Sequence, residues 1–571
     1  MAYYSKDENI GLVLDLLKAH GIKKVIASPG ATNTSIVISM QLDCWFELYS
    51  SVDERSAAYM ACGLAEESGE PVVISCTGAT ASRNYYPGLT EAFYRKLPII
   101  CLTSSQNSAF IGHLYQQLTD RTTYPKDLFV AGEQIQWIKD KTDFWDCENK
   151  INKVLLACRR FGGGPVHLNI QNNAHPIIDV DQNQCRVIKR FSAEDSLPEL
   201  PSGKIGIFIS SHKKFSDEEA NAIDTFCAAK DAAVFCEKTS SYHGRYRVDF
   251  AIAALQTKHK FEETNLDLLI HIGDVSADYY TLGVLNARII WRISEDGEIQ
   301  IRFQHLEAIF QMKVKTFFFH YAGSRNENST TFVDTCNAIC DSIWNNIPEL
   351  PFSNIWCAQT LAQKLPSNSI LHLGILNSYR SWSLFKTPST VHTMANVGGF
   401  GIDGCTSTLI GASLANPNKI HYLVTGDLAF FYDLNSLGNH HIGNNVRILL
   451  INNGVGGEFK ILGLDKRPVN VDEFVAAGGH FGNKSKLLVK HFAEDLGFHY
   501  ISAETKDEFI KIVPEFTSAD IDDKPMLVEV FEDIKNQDKA LKIIQNIVEG
   551  DSADQLNKIK GKLQRFKKKF T

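Results

Sequence analysis

Two polar residues in the last third of the chain, Asp427 and Asn453, have the chemistry of a metal and diphosphate site. Each follows an apolar run, at 422–424 and at 446–451. Such runs predict buried strands of a parallel sheet, so both residues are expected at strand ends. A carboxylate, an amide oxygen and a nearby carbonyl suit Mg²⁺ and leave room for phosphate oxygens. The stretch 425–459 therefore predicts a diphosphate site, although turns rich in Asp, Asn and Gly occur at strand ends of any doubly wound sheet.

An acidic pair, Asp53 and Glu54, begins a segment of small residues that predicts a helix over 53–65. Acidic residues commonly cap helices, because the helix N-terminus has a partial positive charge. Capping alone would account for both side chains. A functional carboxylate at Glu54 is the alternative, since it follows the segment 46–52, which is interpreted as a strand.

The elements that must position these residues alternate between strands and helices. In the first region strands are predicted at 24–27, 71–77 and 97–103. This alternation predicts βαβ units and a parallel sheet, whose ligands bind beyond the carboxyl ends of the strands. Glu54, Thr77 and the loop after residue 103 all fall at such ends.

Two further regions show the same alternation. After a polar linker at 172–202, the middle region has predicted strands at 205–209 and 268–272 but no catalytic constellation, so Asp274 and Asp278 are interpreted as loop carboxylates. The third region contains a Gly-rich turn at 396–404 that leads into a helix of small residues. Backbone N–H groups of such a turn can approach a phosphate closely.

Composition indicates a large globular enzyme. The 571 residues are 44% hydrophobic and 22% charged, and the net charge of −8 argues against a nucleic-acid partner. The 13 Cys show no paired spacing, and the pair Cys336 and Cys340 is too few for a structural zinc site. No signal peptide or membrane span is predicted, so we expect a cytoplasmic protein.

The Gly-Asp pair followed by the Asn-Asn pair resembles the diphosphate-binding motif of thiamin diphosphate (ThDP) enzymes. The resemblance implies that Mg²⁺ is held by Asp427, Asn453 and the carbonyl of Val455. It also implies that Glu54 bonds the aminopyrimidine ring and serves proton transfer, with a pKa raised by burial. Ile402 would be an apolar support for the cofactor, or else an ordinary core residue. The cofactor contacts implied by the motif as a whole are Thr77, Gly78, Asn84, Gly401, Ile402, Asp403, Gly426, Asp427, Leu428, Asn453 and Gly456.

Within that family, local motifs resemble the branch of 2-succinyl-5-enolpyruvyl-6-hydroxy-3-cyclohexene-1-carboxylate (SEPHCHC) synthases of menaquinone biosynthesis. The motifs lie at 53–58, 84–87, 401–404 and 426–435. Three arginines of that branch are replaced here by Thr32, Gln106 and Val397. None of these can pair a carboxylate bidentately as arginine does. Arg380 is one candidate anion clamp, and the predicted substrate positions are Thr32, Gln106, Gln116, Gln117, Arg380 and Val397.

The resemblance implies an α/β fold of three doubly wound parallel-sheet domains. These would be a pyrimidine-binding domain at 1–185, a central domain at 200–325 and a diphosphate-binding domain at 350–535, followed by a basic helical tail at 536–571. Seven Lys or Arg lie between 558 and 569, a pattern more typical of a solvated face than of a binding site.

The implied function is that of a ThDP- and Mg²⁺-dependent carboligase. Such an enzyme decarboxylates a 2-oxo acid and transfers the resulting carbanion or enamine to a carbonyl or alkene acceptor. The alternatives are a simple 2-oxo acid decarboxylase and a SEPHCHC synthase with an altered site. A non-catalytic relative is disfavoured because Glu54, Asp427 and Asn453 are retained. Family sites lie between subunits, which implies a homodimer or a homotetramer.

Overall fold

The computed structural model describes residues 2–120, 123–172, 176–180, 185–323, 329–458, 473–479 and 485–548. Phe459, at the end of the predicted diphosphate stretch, and the basic segment 558–569 lie outside these residues. The chain divides into two compact units. Unit 1 comprises Met1–Ser196 and Glu295–Gln311, and unit 2 comprises Leu197–Ser294 and Met312–Thr571.

Unit 1 alternates strands and helices along most of its length. Numbered along the whole chain, its elements are β1 (Ala2–Ser5), α1 (Glu8–Ala19), β2 (Lys24–Ala27), α2 (Thr34–Leu42), β3 (Glu47–Ser50), α3 (Glu54–Ser68), β4 (Val72–Thr77), α4 (Thr80–Asn84), α5 (Tyr86–Arg95), β5 (Ile99–Ser105), β6 (Ala131–Ile135), α6 (Lys141–Ala157), β7 (Val166–Gln171), β8 (Ile177–Val180), β9 (Lys189–Ser192) and β15 (Leu306–Gln311).

The main sheet of unit 1 is parallel and has the order β3-β2-β4-β5-β7-β6. Successive residues of β4 enter cores on opposite faces. Val73 packs in the cluster that contains Leu14 of α1 and Ile151 of α6, whereas Ile74 packs with Ala61 of α3. Because side chains alternate across a strand, the sheet is covered by helices on both faces, as in a doubly wound fold. Outside it, β1 pairs with β8 antiparallel and β9 with β15 parallel.

Unit 2 contains two further parallel arrays. Its elements are β10 (Ile205–Ile209), α7 (Asp217–Lys230), β11 (Ala233–Cys236), β12 (Arg247–Val248), α8 (Ala251–Ala254), β13 (Asn265–Ile272), α9 (Tyr279–Val284), β14 (Asn286–Ile293), α10 (Val314–Ala322), α11 (Thr331–Asn345), α12 (Asn354–Leu361), β16 (Ile370–Leu373), α13 (Asn377–Ser383), β17 (His392–Met394), α14 (Cys405–Ala415), β18 (His421–Gly426), α15 (Asp427–Tyr432), β19 (Val446–Asn452), α16 (Leu488–Asp495), β20 (His499–Ala503), α17 (Lys506–Phe516), β21 (Met526–Phe531) and α18 (Ile534–Gln545).

The strand orders in unit 2 are β12-β11-β10-β13-β14 and β17-β16-β18-β19-β21-β20, and every pairing within them is parallel. In the second array a core of Leu409, Leu423, Phe430 and Leu450 joins α14 and α15 to the strands. The predicted α/β class, with three helix-covered parallel sheets, is confirmed. Among the described residues, no helix is both long enough and apolar enough to cross a membrane.

Candidate active site

The ends of β18 and β19 bring Asp427 and Asn453 together in unit 2. The two strands are neighbours, and Gly426 is opposite Ile451 in their register. Asp427 and Asn453 therefore leave the same edge of the sheet from adjacent strands. Both apolar runs that were predicted to be strands from the sequence are strands in the structure.

The Asp427 carboxylate is held by backbone N–H groups from both loops. Its Oδ1 accepts from the N–H of Leu428 at 2.8 Å, and its Oδ2 accepts from the N–H of Gly454 at 2.6 Å. The side chain is buried, and this burial raises the pKa of Asp427 to about 6, although the two N–H donors oppose the shift. Each oxygen retains a lone pair for a cation.

A second carboxylate, Glu532, holds the side chain of Asn453. Asn453 Nδ2 donates to Glu532 Oε1 at 3.2 Å, and Asn453 Oδ1 accepts from the N–H of Val455 at 3.2 Å. Glu532 also accepts from the N–H of Asn354 at 2.7 Å. Burial raises the pKa of Glu532 to about 7. The sequence analysis missed this residue, although the sequence predicts a strand at 524–531 and Glu532 follows it directly.

Asp427, Asn453 and Val455 line a cavity of about 210 Å³ that is also lined by Ile402, Gly426, Gly456 and Glu458. Asn354 lines it as well and is almost fully buried. Its Oδ1 has no hydrogen-bond partner among the described residues, whereas its Nδ2 donates to Ser378 Oγ at 3.3 Å. A buried acceptor without a partner is costly, so a donor is expected from a ligand. The oxygens of Asp427 and Asn453 fit Mg²⁺, which prefers hard oxygen ligands.

The Gly-rich loop at 396–404 is fixed to the start of α14. Gly404 has φ +72°, a conformation in which glycine has no steric penalty, and the helix begins at the next residue. The Asp433 carboxylate accepts from the Ser407 N–H at 2.6 Å and from the Ser407 hydroxyl at 2.7 Å. Thus Asp433 occupies an N–H group in the first turn of α14, next to the loop whose N–H groups were expected to approach a phosphate. Gly401 and Asp403 flank Ile402, and Val397 is buried.

Arg380, the predicted anion clamp, is already paired. Its Nη1 lies 2.5 and 2.6 Å from the two carboxylate oxygens of Glu458. Its guanidinium also lies over the Tyr279 ring at 5.1 Å from the centroid. An anionic ligand at Arg380 would therefore have to compete with Glu458.

In unit 1 the two residues of the acidic pair have different roles. Asp53 is the N-cap of α3 and accepts from the Ser56 N–H at 3.1 Å. Glu54 is the first helical residue, and its Oε2 accepts from Asn84 Nδ2 at 3.2 Å. Because Asp53 performs the capping, the Glu54 carboxylate is not needed for it. The expected burial of Glu54 is wrong for the single chain: Glu54 is partly exposed, since it follows the edge strand β3.

The loop ends near Thr77 are closely packed. Thr77 lies opposite Ser104 in the β4–β5 register, and the Gly78 N–H donates to the Ser104 carbonyl at 2.8 Å. A Cβ on Gly78 would lie 2.7 Å from that carbonyl oxygen, so only glycine fits. The Thr32 hydroxyl donates to the same carbonyl at 2.9 Å, and the Ser104 hydroxyl donates to the Thr32 carbonyl at 2.6 Å. Thr32 thus connects two loops.

The remaining predicted substrate positions in unit 1 are solvent-facing. Gln106, Gln116 and Gln117 are all exposed in the loop that follows β5. Gln117 has φ +55°, an uncommon conformation for a residue with a side chain. All three side chains are neutral amides. One of them, Gln106, stands at a position where the resemblance leads one to expect an arginine.

Comparisons with known proteins agree with this geometry. Residues 11–124 match the thiamine pyrophosphate enzyme N-terminal TPP binding domain, and residues 377–530 match the C-terminal TPP binding domain of the same enzymes. The first match includes Glu54 and Thr77, and the second includes Asp427 and Asn453.

Over nearly its full length the chain is similar to proteins named 2-succinyl-5-enolpyruvyl-6-hydroxy-3-cyclohexene-1-carboxylate synthase. It is 30% identical over 554 residues to the one from Bacteroides fragilis, which covers 94% of this chain and 98% of the relative. It is 29% identical over 553 residues to the one from Bacteroides thetaiotaomicron, with 94% and 97% covered. For the one from Phocaeicola vulgatus the identity is 29% over 567 residues, with 94% and 98% covered. The chain therefore belongs to the thiamine pyrophosphate, or thiamin diphosphate, enzyme family.

Proposed function

We propose that the chain is a ThDP- and Mg²⁺-dependent carboligase that decarboxylates a 2-oxo acid and joins the remaining acyl carbon to a carbonyl or alkene acceptor. The observation that supports this most directly is the set of oxygens from Asp427 and Asn453 around one cavity in a member of this family. The relatives are named synthases, which favours joining two molecules over simple decarboxylation.

The diphosphate end of the cofactor would be held in unit 2. Asp427, Asn453 and the Val455 carbonyl would bind Mg²⁺, and Glu532 would hold the Asn453 amide in position. The backbone of Gly426, Leu428 and Gly456, together with the Gly401–Asp403 loop, would contact the diphosphate.

The proton-transfer function is assigned to Glu54. When bound, ThDP supplies a carbon that adds to the keto group and accepts the electrons left by CO₂. Glu54 would exchange a proton with a pyrimidine nitrogen of the cofactor, and the amide of Asn84 would orient its carboxylate. Thr77 and Gly78 would contact the pyrimidine half. Ile402 would exclude water from the reacting carbon by its apolar side chain.

The side chains at the predicted substrate positions do not suit a substrate that carries several carboxylates. Thr32 and the exposed glutamines supply neutral groups, Val397 supplies none, and Arg380 is paired with Glu458. We infer an acceptor that is recognised by hydrogen bonds more than by ion pairs. The identity with the named relatives supports a second candidate, SEPHCHC synthase activity with an altered site.

The assembly and the location are part of the same proposal. A homodimer or homotetramer with sites between subunits would cover the partly exposed Glu54 carboxylate. The domain boundaries 1–185, 200–325 and 350–535, and the tail 536–571, remain proposals. The buried cysteines favour the cytoplasm, and the negative net charge favours small-molecule partners over nucleic acid.

The direct test is incubation of the full chain with ThDP, Mg²⁺ and a panel of 2-oxo acids, with CO₂ release followed with and without aldehyde and alkene acceptors. A carboligase gives a product that contains both carbon skeletons. An aldehyde formed in equal amount to CO₂, whatever acceptor is present, would establish a simple decarboxylase. Formation of the product after which the relatives are named would support the second candidate. No CO₂ from any acid would contradict all three.

A variant pair tests the assignment of Glu54. Glu54→Gln keeps the size of the side chain but cannot take a proton, so turnover should fall by roughly 10²-fold or more. Glu67→Gln, on the exposed face of the same helix, is the matched control and should retain turnover. Circular dichroism checks that both variants fold. Unchanged turnover of Glu54→Gln would exclude the proposed role.

A further inference from the structure

Unit 1 contains a cavity of about 740 Å³ at the edge of its sheet opposite to Glu54, and we call it the arginine cavity. Pro71 and Ile100, which line it, lie at the N-terminal ends of β4 and β5. Thr77 and Ser104 lie at the carboxyl ends of the same strands. At about 3.3 Å per residue, six residues of strand separate the two edges by roughly 15 to 20 Å. A ligand in this cavity therefore cannot contact Glu54.

Three guanidinium groups line the arginine cavity: those of Arg159, Arg160 and Arg190. Arg160 pairs with Glu298, but its buried Nε has no hydrogen-bond partner among the described residues. Arg190 donates from Nη2 to the Leu156 carbonyl at 2.7 Å. Arg160 and Arg190 line the same cavity; burial and the charge of Arg160 lower the pKa of Arg190, while the Glu298 carboxylate opposes the shift. An added anion would relieve this repulsion.

One of the two acidic residues that line the cavity is engaged by hydrogen bonds within its own turn. Asp195 accepts from the Ser192 N–H at 2.6 Å and from the Ser192 hydroxyl at 2.8 Å, so it is engaged with its own turn. Glu194 also lines the cavity. A guanidinium has five N–H donors, and no hydrogen bond or ion pair of Arg159 is found in the part of the chain that the structure describes. Guanidinium donors bind carboxylate and phosphate bidentately.

Part of the wall is apolar and includes one exposed aromatic ring, while His20, Ser192 and Gln311 add polar groups. Leu155 and Leu156 line the cavity, and Phe161 at its rim is 73% exposed. The Arg160 guanidinium lies over the Phe161 ring at 4.5 Å from the centroid. The backbone at Phe161 has φ +53°, and Gly163, which follows, has φ +93° where a Cβ would lie 2.9 Å from the Lys96 carbonyl oxygen. The loop is thus held in a shape that exposes the ring instead of burying it.

We propose that the arginine cavity is a second ligand site, which binds a small organic anion through a phosphate or carboxylate at the guanidinium groups and an apolar body against Leu155, Leu156 and Phe161. Because the site lies at the opposite sheet edge from Glu54, its ligand is not a substrate on which Glu54 acts. This inference does not depend on the proposed carboligase activity.

The test is calorimetry on the full chain with ThDP and Mg²⁺ at saturation, so that the diphosphate site is filled. The probes are phenyl phosphate, benzoate, inorganic phosphate and neutral benzyl alcohol. Phenyl phosphate or benzoate should bind once per chain, and which of the two binds more tightly identifies the anionic group. Benzyl alcohol should not bind. Inorganic phosphate bound as tightly as phenyl phosphate would overturn the apolar half of the proposal.

Arginine variants locate the binding. Arg159→Gln and Arg190→Gln should each weaken binding about tenfold or more, the usual effect of losing a charge-assisted hydrogen bond. Arg288→Gln is the control, because Arg288 is an exposed arginine of unit 2. Arg190 is partly buried, so if Arg190→Gln fails to fold, the exposed Arg159 decides the question. Absence of binding by every probe, or affinities of Arg159→Gln equal to those of the unmodified chain, would refute the site.

Discussion

The contact between Glu532 and Asn453 shows how one side chain can control another in the proposed metal site. An amide can present either its oxygen or its nitrogen to a cation, and only the oxygen is a ligand. The Glu532 carboxylate accepts from the Asn453 NH₂ group and so directs that group away from the cation position. Residues that orient metal ligands in this way typically change metal affinity 10- to 100-fold.

Glu532→Leu should therefore weaken Mg²⁺ binding in the presence of ThDP by roughly tenfold or more. Glu532→Gln should bind Mg²⁺ nearly as well as the unmodified chain, because its amide oxygen still accepts from Asn453. Calorimetric titration with Mg²⁺ measures the effect without relying on turnover. Equal Mg²⁺ affinities of the Leu and Gln variants would show that Glu532 does not orient Asn453.

At the scale of an element, helix α3 positions Glu54 through its N-cap. Asp53 bonds the Ser56 N–H, and this bond fixes the first turn to which Glu54 belongs. The sequence predicted both the helix and an acidic start, but the division of roles was open. In the structure Asp53 is the cap, because its side chain accepts a hydrogen bond from the N–H of Ser56, the third residue of the helix.

Asp53→Ala should lower the free energy of unfolding by about 1 kcal/mol, the usual value of an N-cap, and should also reduce turnover as the first turn frays. The matched control is Asp140→Ala. Asp140 caps α6 by bonding the N–H groups of Thr142 and Asp143 at 2.8 and 2.9 Å. This control should lose similar stability but keep turnover per folded molecule. Equal turnover in both variants would contradict a positioning role for the α3 cap.

Close packing of α3 against α5 also fixes Glu54. A Cβ on Gly88 of α5 would lie 2.5 Å from the Cβ of Ala58 on α3, so Gly88→Ala must push the helices apart. We expect a loss of roughly 1 to 3 kcal/mol in the free energy of unfolding. Gly63→Ala on α3 meets nothing within 4 Å and should stabilise the helix by up to about 1 kcal/mol. Thermal melting distinguishes the two, and a neutral Gly88→Ala would show that the interface can relax.

At the scale of the whole molecule, buried histidines make folding sensitive to acid. His372 of β16 and His421 of β18 are almost fully buried, with ring centroids 5.9 Å apart. Burial lowers the pKa of His372 to about 3 and that of His421 to about 4, from an ordinary value of 6.5. Below pH 6.5 the unfolded chain therefore binds protons that the folded chain does not.

Each of these histidines contributes stability that is present above about pH 6.5 and is lost as the pH falls towards 4. Between pH 7 and pH 5.5 the loss should be about 1 kcal/mol per histidine. In His421→Phe, urea unfolding should depend less on pH by about that amount. His440→Gln, at an exposed position, should leave the dependence unchanged. An identical pH dependence for His421→Phe would contradict this explanation.

The sequence by itself determined the local features of the site. The apolar runs before Asp427 and Asn453 predicted buried strands, because short apolar runs that end in turn residues are typical of such strands. The acidic start of α3 and the Gly-rich loops were also predicted from the local sequence. Such features depend on residues that are near in the sequence, where propensity and periodicity act.

Only the tertiary structure decided which distant residues meet. Glu532 reaches Asn453 because β21, and not β20, lies beside β19 in the sheet. Glu458 pairs with Arg380 across 78 residues of the chain, and Asn84 bonds Glu54 across 30. Strand order results from how helices and strands pack around the whole core, and consecutive strands are neighbours only about two-thirds of the time. Strand order cannot be predicted from a local sequence pattern. The contacts between these distant residues could therefore be identified only from the folded structure.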